Sequence, residues 1–445
     1  MKYPTVFAKL ISACLLISLL YLACTPKTKS ILPNEVPIAP QSVPIADYGY
    51  DPNAPIPKDT AVRMGTLANG MKYFLRYNQK PEDRVEIRLA LNAGSMQEDE
   101  DQLGIAHFVE HMAFNGSKNF KKNELVDYLE SVGTRFGPDL NAYTSFDETV
   151  YMLQTRTDDP ELLDKGLLIF EDWAVGLAFE PEEIDKERGV VVAEWRSSLS
   201  PRQRLMNKYF PVMYQGSRYA KRLPIGDPEI IQNADYATIK RFYQDWYRPD
   251  LMAIVLVGDM DLDEMEAEIV RRFSALKNPE VLRPVEEYPV PPHSETLVAI
   301  HSDPEAPFTN VQLMYKHDFE AVKTIGDYRN IIIQILYNNM LDSRLDELAQ
   351  QPNAPFNYAY TGYSRDVGQL ATYSSWAMTP EGTALRCLEA LLEENQRVLQ
   401  HGFTATELER TKADLLNGME RAYKERDKTE SVRFAMRYVY HFLDD

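Results

Sequence analysis

The chain has 445 residues, 44% of them hydrophobic and 26% charged, so it is long enough for two domains with packed cores and is neither fibrous nor broadly disordered. Its formal net charge of −19, with no block of Lys and Arg, argues against a nucleic-acid partner, because neutralising phosphates requires a basic face. Three cysteines, Cys14, Cys24 and Cys387, cannot supply a disulfide framework, which leaves stability to packing.

The amino terminus reads as an export signal over residues 1–24. Lys2 and Lys9 give positive charge, Leu10 to Ala23 is almost wholly apolar, and Ala23 precedes Cys24. This order resembles a bacterial lipoprotein signal, which implies lipidation of Cys24, a membrane anchor and a place in the cell envelope, either periplasmic or membrane-anchored. Tyr21 departs from the aliphatic residue usual at that place, so a conventional signal peptide or an uncleaved anchor stays open. Residues 25–60 carry recurrent prolines and read as an extended tether.

Folded sequence is expected from about Ala61. Asn69-Gly70 between two strand-like runs predicts a hairpin. Val85 to Leu91 alternates as a half-buried strand does, and the acidic loop Glu98 to Asp101 follows. Apolar residues at helical spacing from Gly104 to Phe114 predict a short helix, and Asn123 to Val132 another. Asn141 to Leu153 reads as strand, and Pro160 to Leu177 and Glu182 to Leu199 as long helices. The proline-rich stretch Pro284 to Pro292 marks a domain boundary, giving domains at 61–285 and 293–445. Phe356 to Trp376, the helix near Gly382 and Gly402-Phe403-x-x-x-Glu407 repeat the order of Leu140 to Leu153, the helix near Glu161 and Ala178-Phe179-x-x-x-Glu183. The expected class is therefore α+β: two homologous α/β domains, the second degenerate and truncated.

The first domain holds His107-Phe108-Val109-Glu110-His111, an H-x-x-E-H pattern. Four residues on a helix make one turn, so both imidazoles can reach one ion from the same face, and Glu110 can take a proton from a water there without being a ligand. Catalytic zinc generally has three protein ligands, so a further donor is needed. Glu187 and Glu194, seven apart on one helical face among Gly189-Val190-Val191-Val192-Ala193, are expected to be buried, and a buried carboxylate is costly unless paired or metal-bound. The repeat cannot hold a metal in this way: Gly418 stands where Glu194 would, and Asn330 to Leu345 contains no histidine.

With Gly94-Ser95, Gly104-x-x-His107-x-x-Glu110-His111, Phe114-x-Gly116, Asn141-Ala142-x-Thr144, Glu187 with Glu194, and Trp246-Tyr247-x-Pro249, the chain resembles the pitrilysin/insulinase family of zinc peptidases from about Leu67 onward. The resemblance implies one zinc ion held by His107, His111 and Glu194, with Glu187 in support. It further implies hydrolysis of oligopeptides or small unfolded proteins by metal-activated water, with Glu110 as general base. The interval from His111 to Glu194, 194 − 111 = 83 residues, implies a small insertion around Gly133 to Leu140, with Glu187 as the alternative ligand. Asn141, Ala142 and Tyr143 resemble the family's substrate-binding edge strand. Family members enclose peptide between two homologous halves, so a C-terminal half or a partner chain is expected to close the site. Two other readings stay open: a non-catalytic relative acting as a binding subunit, and a zinc hydrolase acting on non-peptide substrates.

Overall fold

The computed structural model describes residues 49–122 and 124–444. Cys14, Cys24, the apolar run before it and Asn123 lie outside the described residues. From Pro52 onward the chain forms one compact unit. The sequence places the start of folded chain near Ala61, but Pro52–Ile56 is already tied down. Gly326 N donates to Pro52 O, Ile325 N to Ala54 O and Ile56 N to Lys323 O, so the end of the expected tether pairs its backbone with the second domain.

The first sheet has six strands: β1 (Val62–Thr66), β2 (Lys72–Tyr77), β3 (Arg84–Leu91), β4 (Leu140–Thr144), β5 (Thr149–Arg156) and β6 (Met252–Gly258). Their spatial order is β1-β2-β6-β3-β5-β4, with β2 and β6 parallel and every other pair antiparallel. The expected hairpin joins β1 to β2, and Gly70 supplies the left-handed turn at φ 92°. Asn141 to Leu153 is two strands rather than one. The turn Ser145–Glu148, closed by Ser145 N donating to Glu148 O, folds β5 back on β4 and leaves β4 at the sheet edge.

One face of this sheet carries α1 (Ile105–Met112), α2 (Glu124–Ser131), α3 (Pro160–Val175), α4 (Pro181–Ser198), α7 (Tyr236–Trp246) and α8 (Leu262–Phe273); α5 (Pro201–Met213) and the short α6 (Pro228–Asn233) lie between α4 and α7 in the chain. Helix starts follow capping chemistry: Asp159 accepts from Leu162 N, Asp235 from Thr238 N, and Pro160 and Pro181 occupy the first turn, where no N–H partner is needed.

The second domain has the sheet β7 (Thr309–Asp318), β9 (Leu370–Thr379) and β8 (Tyr358–Val367), in the order β7-β9-β8. Helices α9 (Ile325–Ala349), α10 (Ala384–His401) and α11 (Ala405–Lys424) accompany it. The sequence β8-β9-α10-α11 repeats β4-β5-α3-α4, and Thr411 and Gly418 fall where Glu187 and Glu194 do.

Two further expectations change. The last helix, α12 (Ser431–Asp444), assigned from sequence to the second domain, lies on the outer face of the first sheet, where Phe434, Ala435, Tyr438 and Val439 cover Phe74, Ala90, Val255 and Val257. In consequence β3 is buried on both faces rather than half-buried, and its polar positions Glu86 and Arg88 pair with each other at 2.6 Å.

Candidate metal centre

Helix α1 is built for one face of apolar contact and one of chemistry. Ile105, Ala106, Phe108, Val109 and Met112 are buried in the main core, while His107, Glu110 and His111 share the other side. The helix opens at Gly104, whose φ of 95° requires glycine and where a Cβ would come within 2.9 Å of Ile231 Cδ1. Since Gly104 has no side chain to cap with, Glu98 does the work from outside: its Oε1 accepts from Gly104 N and Ala106 N at 2.9 Å. Burial pushes the Glu98 carboxyl up to about 8, against those two bonds and the neighbouring Arg222 and Arg218. The rest of the acidic loop is neutralised by arginines, Asp99 by Arg283, Glu100 by Arg222 and Asp101 by Arg241.

Helix α4 passes alongside α1 and brings the second carboxylate pair. The Nε2 atoms of His107 and His111 lie 3.2 Å apart. Glu194 presents Oε2 3.2 Å from His111 Nε2 and Oε1 3.7 Å from His107 Nε2. One donor atom from each of these three residues falls within 4.8 Å of the others, the one such set among the described residues. Glu187, about two turns before Glu194 on α4, instead meets the far nitrogen: its Oε1 is 2.8 Å from His111 Nδ1, and its Oε2 accepts from Asn115 Nδ2 at 2.8 Å. With Nδ1–H donated to Glu187, the neutral His111 ring turns its Nε2 lone pair toward Glu194 and His107, the form a metal ligand takes. The expectation that Glu187 and Glu194 are both buried divides accordingly. Glu187 is buried, but Glu194 is 46% exposed because the stretch of α4 bearing Val190 and Glu194 faces outward from the core.

The donor set suits a zinc ion. Two imidazole nitrogens bound tetrahedrally at about 2.0–2.1 Å stand roughly 3.3 Å apart, close to the observed spacing. Burial, with His111 beside it, drives His107 down to about 3, so its ring stays neutral, as a ligand must. Burial also acts to lower His111, but the bond to Glu187 and the charges of Glu110, Glu187 and Glu194 outweigh it and raise that ring. Glu110 is outside the ligand set. Burial lifts it to about 7, and its Oε2 accepts from Thr144 Oγ1 at 2.7 Å. Asn141, Ala142 and Tyr143 precede Thr144 on the edge strand β4, with Asn141 Oδ1 accepting from Ala142 N.

Sequence reasoning passed over Glu98 and the Thr144–Glu110 bond. Thr144 stood in a quoted motif without a role, and Glu98 was hidden in an acidic run that reads as a solvated loop.

A helix-borne His-x-x-Glu-His set completed by a carboxylate from a second helix, on an α+β scaffold with a second and unarmed domain, defines a candidate metallohydrolase centre. Residues 73–223 match the profile of the insulinase family (peptidase family M16), and residues 233–415 that of the peptidase M16 inactive domain. The chain belongs to this family. It is 34% identical over 360 residues to the probable zinc protease PqqL of Haemophilus influenzae, covering 80% of this chain and 39% of that protein. With the zinc protease PQQL-like of Arabidopsis thaliana it shares 33% over 380 residues, 85% of this chain and 37% of the relative. The crystal structure of the first half of the periplasmic protease PqqL from Escherichia coli superposes with a TM-score of 0.82 at 29% identity, covering 88% of this chain and 83% of that one. The chain thus spans about two fifths of the length of the curated relatives it matches.

Proposed function

We propose that the chain is the metal-bearing part of a zinc metalloendopeptidase that hydrolyses oligopeptides or small unfolded proteins. His107, His111 and Glu194 hold one zinc ion, Glu187 supports His111, and Glu110 is the general base. The observation that carries this reading is the convergence of three donor atoms within 4.8 Å, with a fourth carboxyl, Glu110, on the same helix and outside the set. Its zinc-protease relatives lend it the reaction class.

Bound at this site, zinc supplies Lewis-acid polarisation of a carbonyl and lowers the pKa of a water. Glu110, with Oε2 engaged by Thr144, has Oε1 to take the proton of the attacking water and pass it to the departing amine nitrogen. Residues Asn141, Ala142 and Tyr143 offer an extended peptide the outer edge of β4, where backbone hydrogen bonds read shape more than side-chain identity. Since the strand runs into Thr144, a peptide added there lies alongside the base. A C-terminal homologous half or partner chain completes the enclosure, and the domain limits are 61–285 and 293–445 except that the last helix, α12, returns to the first sheet. Export through residues 1–24, with Cys24 lipidated, fits the periplasmic location in the name of the Escherichia coli relative.

The test is zinc stoichiometry with peptide cleavage, by this chain together with any downstream half, for wild type and Glu110→Gln. Retained zinc with lost cleavage supports the enzyme. Unchanged cleavage in Glu110→Gln defeats the mechanism, and absence of cleavage from both leaves a binding subunit as the better account.

A further inference from the structure

The residue between Phe114 and Gly116 closes a ring of hydrogen bonds around His111. Asn115 lies in the turn that ends α1, with its backbone N donating to Met112 O at 3.0 Å. Its Nδ2 donates to His111 O at 3.1 Å and to Glu187 Oε2 at 2.8 Å. The other oxygen of that carboxylate, Oε1, lies 2.8 Å from His111 Nδ1. The path thus leaves the backbone of His111, crosses Asn115 and Glu187, and returns to the imidazole of the same residue. Chemistry sets the orientation of the amide. Both neighbours are acceptors and a primary amide has two N–H donors, whereas a flipped amide would turn its carbonyl oxygen against two oxygens.

We propose that Asn115 is a positioning residue for the metal site, acting on His111 through Glu187. The inference rests on His107, His111 and Glu194 holding zinc, and on no assumption about Glu110. A carboxylate held at one oxygen can still turn about the bond to its stem, whereas one held at both has its plane fixed. With Oε2 on Asn115, Oε1 faces Nδ1, and the ring keeps Nε2 toward Glu194 and His107. Asn115 also ties α4, which carries both glutamates, to the end of α1, which carries both histidines, so one side chain spans the two helices that share the ion. The loop that presents it is held by other atoms. Phe114 packs edge-on against Trp173, with 5.5 Å between ring centroids, and Trp173 Nε1 donates to Ala113 O at 2.9 Å. Ala178 N donates to Gly116 O, and Ser117 Oγ donates to Asp172 Oδ2 at 2.6 Å. Removing the Asn115 amide therefore leaves the loop in place and frees the carboxylate.

The experiment measures zinc affinity by chelator competition for wild type, Asn115→Ala, Asn115→Leu, Glu187→Ala and the double variant of Asn115→Ala with Glu187→Ala. Each is purified metal-free and shown by thermal melting to be folded. Both Asn115 variants are expected to bind zinc about tenfold more weakly, the lower end of the range for partners beyond the ligands. The alanine admits water to Glu187 and the leucine excludes it, so a loss shared by both follows the missing donor, and a loss confined to one overturns the proposal. The double variant is expected to lie within about twofold of Glu187→Ala, because without the carboxylate the amide has nothing to orient. A loss from Asn115→Ala that is the same with and without Glu187, the result for a residue that merely ends α1, also overturns it. Wild type that takes up no zinc defeats the metal-site reading itself; wild type that binds zinc, with both Asn115 variants matching it, defeats only the role of Asn115.

Discussion

His111 presents its two ring nitrogens to two carboxylates of one helix, Nδ1 at 2.8 Å from Glu187 and Nε2 at 3.2 Å from Glu194. Seven residues of helix separate those carboxylates, which lets a single imidazole be oriented by one and share an ion with the other. Glu187→Ala is therefore expected to weaken zinc binding by roughly 10- to 100-fold without removing a ligand. Chelator competition with a chromogenic zinc indicator measures this, and an unchanged affinity refutes the orienting role.

Glu194 makes a different prediction because its side chain is 46% exposed. Glu194→Ala is expected to lose stoichiometric zinc while its metal-free melting temperature stays within about 2 °C of wild type, as for other surface substitutions. With zinc at a hundred times its dissociation constant, wild type gains about 2.7 kcal/mol of stability, and the variant gains none of it. A variant that retains zinc would return Glu187 to consideration as the third ligand.

How much of this was legible in the sequence depends on the range of the interaction. The α1 pattern was readable because His107, Glu110 and His111 are neighbours on one helical turn, and periodicity reports such neighbours directly. Glu187 and Glu194 could be placed on one face, but which was buried depended on how α4 crosses α1, a tertiary fact. Val85 to Leu91 looked half-buried because Glu86 and Arg88 alternate with apolar residues, and only the return of α12 from some 340 positions later encloses them. The Thr144–Glu110 bond joins β4 to α1, segments that are not adjacent in the chain, so no local signal announces it.

In the second domain Arg344 binds Glu407 through two nitrogens, at 2.5 and 2.9 Å, and with Thr404 holds that carboxyl down to about 2. The folded value lies below the ordinary 4.5, so the contribution is complete above about pH 4.5 and is lost as pH falls through that value toward 2. Arg344→Met is expected to be less stable than wild type at neutral pH, with a difference that narrows through this window. Urea titrations followed by circular dichroism at intervals from pH 2 to 6 measure it, and a difference independent of pH contradicts the linkage.

The two faces of the first sheet serve separate purposes, since Ile87 and Leu89 point into the core that contains α1 while α12 lies over Ala90 and Val255. Phe434→Ala removes a buried ring from α12 and is expected to cost about 3–5 kcal/mol, as truncations of buried aromatics do. The loss should appear as faster amide exchange in α12 and along β3 and β6, whose outer face α12 shields. Zinc affinity should remain within about twofold, because the strands between the faces keep their hydrogen bonds while the protein stays folded and independent sites add. A fall in zinc affinity in step with stability would mean that α12 reaches the metal-binding helix through the sheet, and that the outer face is part of the site's support rather than a separate cover.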